Sequence, residues 1–270
     1  MSEELKLKGL ILRETELREN DKFMTVLTDS HGLMSVYGAR VRSQKDRNFS
    51  ACQLFSYSEF VVKRSGDKCY LKEAALIHSF FIVSDDLVKA ALAYYIVDVL
   101  SDMAREEDEC LPLLRLGLNC LYCLTERSTP AKQVKAVFEL RALSEIGYAP
   151  DLVGCRRCGR YDSADYYFDI EDGCFKCRDC YHTTEDEMIN QQKKLNESEG
   201  IYPGSHLICI VSPSTMAAMR HVVYSPAERI FAFNLLDEAL DEFGDICEKY
   251  LLCHLERGFK TLDFYRAVVD

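Results

Sequence analysis

The clearest chemistry in this sequence lies in four cysteines. Cys155-Arg156-Arg157-Cys158-Gly159 and Cys177-Arg178-Asp179-Cys180 are two C-x-x-C pairs separated by Gly159 to Lys176. A two-residue spacer lets both thiolates of a pair face one ion from a tight turn, and Gly159 relieves the backbone after the first. Two such pairs at this separation are the signature of a tetrahedral structural zinc site. Four thiolates would close the shell around Zn2+ and leave no position for a reactive water, so the ion folds a core-poor segment instead of catalysing. Cys174-Phe175-Lys176-Cys177 is a further C-x-x-C. Cys177 and Cys180 are preferred as ligands, with Cys174 spare and His182 the alternative. The isolated cysteines sit mostly among apolar neighbours and read as small core residues.

A second chemistry is electrostatic. Gly38 to Arg47 (GARVRSQKDR) is the most basic stretch, with Arg40, Arg42, Lys45 and Arg47 against the single acid Asp46. A loop of this kind neutralises a few phosphates and gives salt-sensitive, sequence-independent binding to nucleic acid. Tyr37, Phe49, Phe55, Tyr57 and Phe60 lie nearby in sequence as candidates for base stacking. Enzymatic motifs are missing. The chain has no P-loop, no G-x-S-x-G, no H-E-x-x-H and no H-x-E paired with P-C-x-x-C. Its six histidines are scattered, so no hydrolase or deaminase centre is expected.

The elements that must position these groups fall into two characters. Lys6 to Arg13, Lys22 to Asp29, Leu33 to Ala39, Ser56 to Arg64 and Cys69 to Leu76 read as strands broken by turns such as Asp29-Ser30-His31-Gly32 and Ser65-Gly66-Asp67. About five short strands in 80 residues suit a small barrel or sandwich of OB-fold size, and the count alone leaves an SH3-like barrel open. From Ser84 the pattern is helical. Ser84-Asp85-Asp86 resembles a capped start for Leu87 to Ala104, Leu111 to Leu124 follows, and Thr129-Pro130 opens a third helix that stops at Gly147. Glu106-Glu107-Asp108 reads as an exposed acidic loop. Residues 183–206 are polar and read as a flexible insertion. Ser212-Pro213-Ser214 caps another helix, and Leu235 to Leu255 forms the last long one before a short tail.

The 270 residues and 48% hydrophobic content suffice for a large core. No run of about 18 uncharged apolar residues suggests a transmembrane helix. Met1 to Lys8 has no apolar region of a secretory signal, so a cytoplasmic protein with reduced thiols is expected. The net charge is -11, against a surface that coats DNA uniformly. The charge is uneven, however. Residues 1–80 hold thirteen basic against eleven acidic side chains, and the remainder holds twenty against thirty-three. A nucleic-acid face therefore belongs in the first third.

Taken in order, several motifs resemble the bacterial RecO family over nearly the whole chain apart from 183–206. They are Lys8-Gly9-Leu10-Ile11-Leu12-Arg13 with Glu19-Asn20-Asp21-Lys22, His31-Gly32 leading to Gly38-Ala39-Arg40, and Gln53 to Phe60. Phe138-Glu139-Leu140-Arg141 through Gly147-Tyr148-Ala149-Pro150 precedes the first cysteine pair, and Met219-Arg220-His221 and Lys260 to Phe264 come near the end. The resemblance implies an α+β protein. It would have an N-terminal OB-fold β-barrel (1–80) and an α-helical domain (81–270) carrying a zinc-finger-like insertion (151–182). It also implies a non-enzymatic recombination mediator in DNA repair. Such a protein binds single- and double-stranded DNA, anneals complementary strands and works with RecR. It engages the C-terminal tail of single-stranded-DNA-binding protein and helps load RecA. Lys22 joins Arg40, Arg42, Lys45 and Arg47 as a DNA-contact candidate on the Asn20-Asp21-Lys22 match, and Arg141 and Arg220 are candidates for the acidic tail. Two other classes stand beside this reading: a protein-interaction scaffold with little DNA binding of its own, and a zinc-dependent enzyme acting on nucleic acid, which four Cys ligands disfavour.

Overall fold

The computed structural model describes residues 3–17, 19–66, 68–80, 86–106, 110–183 and 207–269. Asp67, Ser84, Asp85, Glu107, Asp108 and the expected insertion beyond Thr183 lie outside them. The chain is α+β and divides into two compact units, Met1–Val134 with Gly258–Asp270, and Lys135–Arg257. The boundary expected at residue 80 falls inside the first unit.

The first unit is built on five strands: β1 (Glu3–Glu16), β2 (Lys22–Thr28), β3 (Leu33–Gly38), β4 (Ser56–Ser65) and β5 (Lys68–Ser79). They close into a barrel in the order β1-β2-β3-β5-β4, the OB arrangement. β1 pairs antiparallel with β4 from Glu3 to Leu10 and with β2 from Gly9 to Glu16, with a register shift between Ile11 and Arg13. A strand that serves two neighbours in succession must bend, and a bulge supplies the bend. β3 and β5 close the wall in parallel through Val36↔Cys69 and Tyr37↔Tyr70.

Alternation decides what each strand buries. Leu7, Ile11, Met24, Val26, Met34, Val36, Phe60 and Val62 fill the interior. The long β3–β4 connection is anchored to that core. Val41, Ala51 and Cys52 pack into it, the Ser58 hydroxyl donates to Ala51 O at 2.8 Å, and Asn48 Oδ1 accepts from Ala74 N at 2.9 Å.

Three helices complete this unit. In α1 (Leu87–Met103), Asp86 caps the start by accepting from Lys89 N. The expected Ser84 cap is thus replaced by a residue two positions on. α2 (Leu111–Glu126) begins with proline in its first turn. The residues expected to form a short tail are instead helix α6 (Lys260–Val269). Its Leu262 and Tyr265 are buried one turn apart. It is tied to α1 by Thr261 Oγ1 donating to Asp98 Oδ2 at 2.8 Å and by Tyr95 against Phe259.

In the second unit, α3 (Ala131–Glu145) stops before Gly147 at φ 97°. A three-stranded sheet, unexpected from the sequence, orders as β7-β6-β8: β6 (Tyr166–Asp169), β7 (Cys174–Cys177) and β8 (Ile208–Val211). α4 (Pro213–Tyr224) is capped by Ser212, as expected, and α5 (Asp237–Leu255) ends on Glu256 in the left-handed region. Lys135 and Glu139 of α3 meet Glu248 of α5 in a buried ion cluster.

Gly9 of β1 pairs with Thr28 of β2 and packs tightly against that strand. A Cβ there would come within 2.5 Å of Val26 Cγ1 and 2.8 Å of Leu27 O. Gly9→Ala should therefore destabilise the barrel by about 1–3 kcal/mol, read as a lower midpoint in chemical denaturation. An unchanged midpoint would show that the β1–β2 contact is looser than described.

Candidate metal centre and nucleic-acid face

Cys155, Cys158, Cys177 and Cys180 are brought together, with sulfur atoms all within 4.8 Å of one another. Cys158 Sγ and Cys177 Sγ are 3.7 Å apart. A tetrahedron with metal–sulfur bonds of about 2.3 Å has edges of roughly 3.8 Å, so the four thiols fit a metal tetrathiolate and could hold an ion. The first knuckle is a tight turn, in which Gly159 N donates to Cys155 O at 2.8 Å and Cys155 N to Arg160 O at 2.9 Å. Gly159 takes a φ of 72° there, a conformation that suits glycine. Cys177 ends β7, and Cys180 follows on the helical residues 178–183. Cys174 stands outside the cluster and accepts from Arg156 at 3.3 Å. His182 is likewise outside it, against the Tyr167 hydroxyl.

The thiols are electrostatically unequal. Burial pushes Cys155 up, but N–H groups of Cys177, Cys158 and Arg157 outweigh it and bring the thiol down to about 6. Burial, with thiol contacts from Cys158 and Cys155, raises Cys177. Desolvation and the neighbouring thiols push Cys180 up to about 12. Four thiolates this close repel one another, and a divalent cation compensates them.

Both arginines considered for an acidic tail are structural. Arg220 of α4 is buried. Its Nε donates to Leu152 O at 2.8 Å, its Nη2 to Tyr161 O at 2.9 Å, and its guanidinium lies 3.7 Å above the Tyr161 ring. It therefore pins the chain on both sides of the first cysteine pair. Arg141 pairs with Glu145 and donates to the carbonyls of Val222, Val223 and Ser225 at the end of α4.

On the barrel, the basic segment is a fixed ledge, since Val41 within it and Asn48 just after it are buried. Arg40 and Lys45 are exposed. Arg42 pairs with Glu16 at 2.7 Å and Arg47 with Glu73 at 3.6 Å. Arg40 adopts a φ of 62°, and its N–H donates to Asp21 Oδ1 at 2.9 Å. Lys22 departs from the expectation. It is 1% exposed and donates to Glu14 Oε2 at 2.8 Å. Its charge is enclosed and compensated, which makes it part of the barrel's framework and not of its outer face.

Phe55 and Phe60, considered for stacking, are also buried. The exposed aromatics lie elsewhere. Phe23 on β2 and Tyr70 on β5 are 40% and 39% exposed and flank Tyr37 on β3. The ring centroids are 5.5 Å apart for Phe23–Tyr37 and 5.9 Å for Tyr37–Tyr70. Sequence reasoning passed over Phe23 and Tyr70. Their strands carry apolar residues on both faces, so the outward face shows only once the register is known.

Two outcomes follow for the metal centre. Metal binding at pH 7 must displace the protons of Cys177 and Cys180. Titration calorimetry in buffers of different protonation enthalpy should give at least about two protons released per ion, with weaker binding as pH falls from 8 to 6; no proton release would refute this description. Arg220→Lys keeps the charge but loses the fork and the ring contact. It should cost about 1–3 kcal/mol and speed metal loss to a chelator, whereas an unchanged off-rate would show that the clamp does not support the site.

Comparison with known proteins places the chain. A family model described as Recombination protein O N terminal matches residues 1–80, and one described as Recombination protein O C terminal matches residues 84–196. A protein named DNA repair protein RecO from Exiguobacterium sibiricum is 30% identical over 251 residues, covering 89% of this chain and 98% of its own. One of the same name from Acetivibrio thermocellus is 28% identical over 264 residues, covering 98% of this chain and 97% of its own. Another, from Bacillus pumilus, is 31% identical over 178 residues, with 66% and 68% covered. With both terminal regions matched and full-length relatives sharing the name, the chain belongs to the RecO family of DNA repair and recombination proteins.

Proposed function

We propose that this protein is a recombination mediator that binds DNA through the outer face of its barrel. The observation that carries the reading is the ledge of Arg40, Arg42, Lys45 and Arg47, held on a closed five-strand barrel by buried anchors. Cations on a fixed mount are pre-organised for backbone phosphates and lose less freedom on binding than cations on a floppy loop. Neutralising phosphates lets two like-charged strands approach, which is what annealing requires, and needs no covalent chemistry. The mediator then binds single- and double-stranded DNA without reading sequence. RecR and the acidic tail of single-stranded-DNA-binding protein supply location and added affinity by multivalency, and RecA is loaded downstream. The protein acts in the cytoplasm, and no helix among the described residues is long and apolar enough to cross a membrane. Cys155, Cys158, Cys177 and Cys180 would hold a structural zinc ion, which would brace the Cys-rich module; Cys158→Ala should lower both zinc content and the stability of that module.

The net charge of -11 favours one second reading, a scaffold of the repair complex that works through protein partners. Binding of a fluorescent single-stranded oligonucleotide across a salt series separates the two. A mediator binds with a steep salt dependence, and a variant with Arg40, Arg42, Lys45 and Arg47 changed to Ala binds more weakly, its log-log slope flatter by roughly 2–3. No binding by the native protein at low salt, with RecR binding retained, would favour the scaffold.

A further inference from the structure

The small sheet of the second unit has two edges, and they are finished differently. Ile170 N donates to Leu207 O at 3.0 Å, and β8 runs antiparallel to β6 with Phe168 opposite Cys209 and Asp169 opposite Ile208. The ladder therefore turns the backbone groups of Leu207, Cys209 and Val211 toward β6 and those of Ile208 and Ile210 away from it. At the β7 edge the outward groups are taken up by the first cysteine knuckle. Phe175 O accepts from Arg156 N at 2.9 Å, and Cys177 N donates to Cys155 Sγ at 3.3 Å. At the β8 edge the N–H and C=O groups of Ile208 and Ile210 meet no partner among the described residues.

Folded proteins guard an edge with charge, proline or a covering segment. Residues 207–211 hold neither charge nor proline, and Ile210 is 61% exposed. Opposite Ile210, Tyr167 stacks on Tyr181 with ring centroids 3.9 Å apart, so the apolar surface continues inward from the edge. The neighbouring helix is acidic. Ser212 N, just past β8, donates to Glu242 Oε1 of α5 at 3.1 Å, and Asp245 and Lys249 act on the Cys209 thiol. Asp237, Asp241, Asp245 and Lys249 recur along α5 at every fourth residue and are exposed, a single stripe of three acids and one base. The second unit as a whole holds twenty-two acidic against thirteen basic side chains.

We propose that the free edge of β8 docks an extended, basic segment of a protein partner, which adds to the sheet as a fourth strand. The outward groups of Ile208 and Ile210 supply main-chain hydrogen bonds, Ile210 and Tyr167 receive alternate apolar side chains, and the α5 stripe draws the segment's lysines or arginines. A second copy of this chain would bring a like-charged unit against that stripe, and a nucleic acid would be repelled in the same way. The edge belongs to the second unit and rests on no DNA contact.

The probe is a fluorescein-labelled peptide of alternating lysine and valine, with its glutamate–valine counterpart as control, added to the full-length chain. The lysine peptide should bind and slow hydrogen exchange at the Ile208 and Ile210 amides by roughly tenfold or more. The glutamate peptide should bind at least roughly tenfold more weakly, and Asp241→Lys/Asp245→Lys should reverse the preference. Ile210→Pro removes an outward N–H that β6 does not use, so it should keep the melting curve and lose the peptide. Should the proline unfold the module, Ile208→Thr/Ile210→Thr, which leaves the backbone donors in place, should still weaken binding several-fold. No binding of the lysine peptide at millimolar concentration, equal binding of the two peptides, or binding that leaves both amides exchanging freely would overturn the docking strand. Slow exchange at both amides in the chain alone would overturn it too, by showing that the chain covers its own edge. A dimer in sedimentation that Ile210→Pro dissociates would reassign the edge to a second copy. None of these outcomes alters oligonucleotide binding by the barrel, which the salt series reads separately.

Discussion

The double engagement of β1 is the constraint on which the first unit depends. Its first half is hydrogen-bonded to β4 and its second half to β2, so one strand supplies the seam of the barrel. The bulge near Ile11 and the bare Gly9 let it turn the corner. Closure then leaves β3 and β5 facing each other in parallel, which sets Tyr37 beside Tyr70. The aromatic row is thus a product of barrel closure and not of local sequence. The same closure gives the β3–β4 connection a core to root in, so four cations stand on a mount instead of swinging on a tether.

Charge is handled by pairing inside and by placement outside. Lys22 is enclosed with Glu14 as its partner, and Lys135 is enclosed between Glu139 and Glu248. Removing one member of such a group leaves an uncompensated buried charge and costs more than the pair contributes. Outside, net charge is a poor guide to the face that meets a polyanion. A phosphate backbone responds to the cations within a Debye length of about 10 Å, and the ledge concentrates these while most of the acids lie later in the sequence.

Much of this was legible in the sequence, for definable reasons. Strand alternation and turn residues located β1 to β5, Thr129-Pro130 located the start of α3, and the Ser212 cap located α4. The C-x-x-C spacing found all four clustered cysteines, because the ligand spacing of a tetrahedral ion is local. Long-range consequences were not legible. Lys22 reads as an exposed strand end until β1 is paired with β2 and delivers Glu14 to it. Phe60 reads as a stacking candidate until the register turns it inward, and Phe23 is passed over for the converse reason. β8 is separated from β6 by the polar stretch 183–206, so no local pattern joins them into one sheet. The tail that proved to be α6 is a short amphipathic helix whose apolar side needs α1 to give it meaning.

That last helix has a consequence for how the protein is made. The first compact unit is Met1–Val134 together with Gly258–Asp270, so its sequence is interrupted by the whole of the second. During synthesis the barrel strands emerge first and can pair, yet the surface of α1 that receives Thr261 and Phe259 stays uncovered until residues 258–269 leave the ribosome. The second unit, contiguous in sequence, is complete before the first. The usual order of domain maturation, N-terminal first, is therefore inverted for the first unit as a whole: its barrel can pair early, but the helical layer that includes α6 is finished after the second unit.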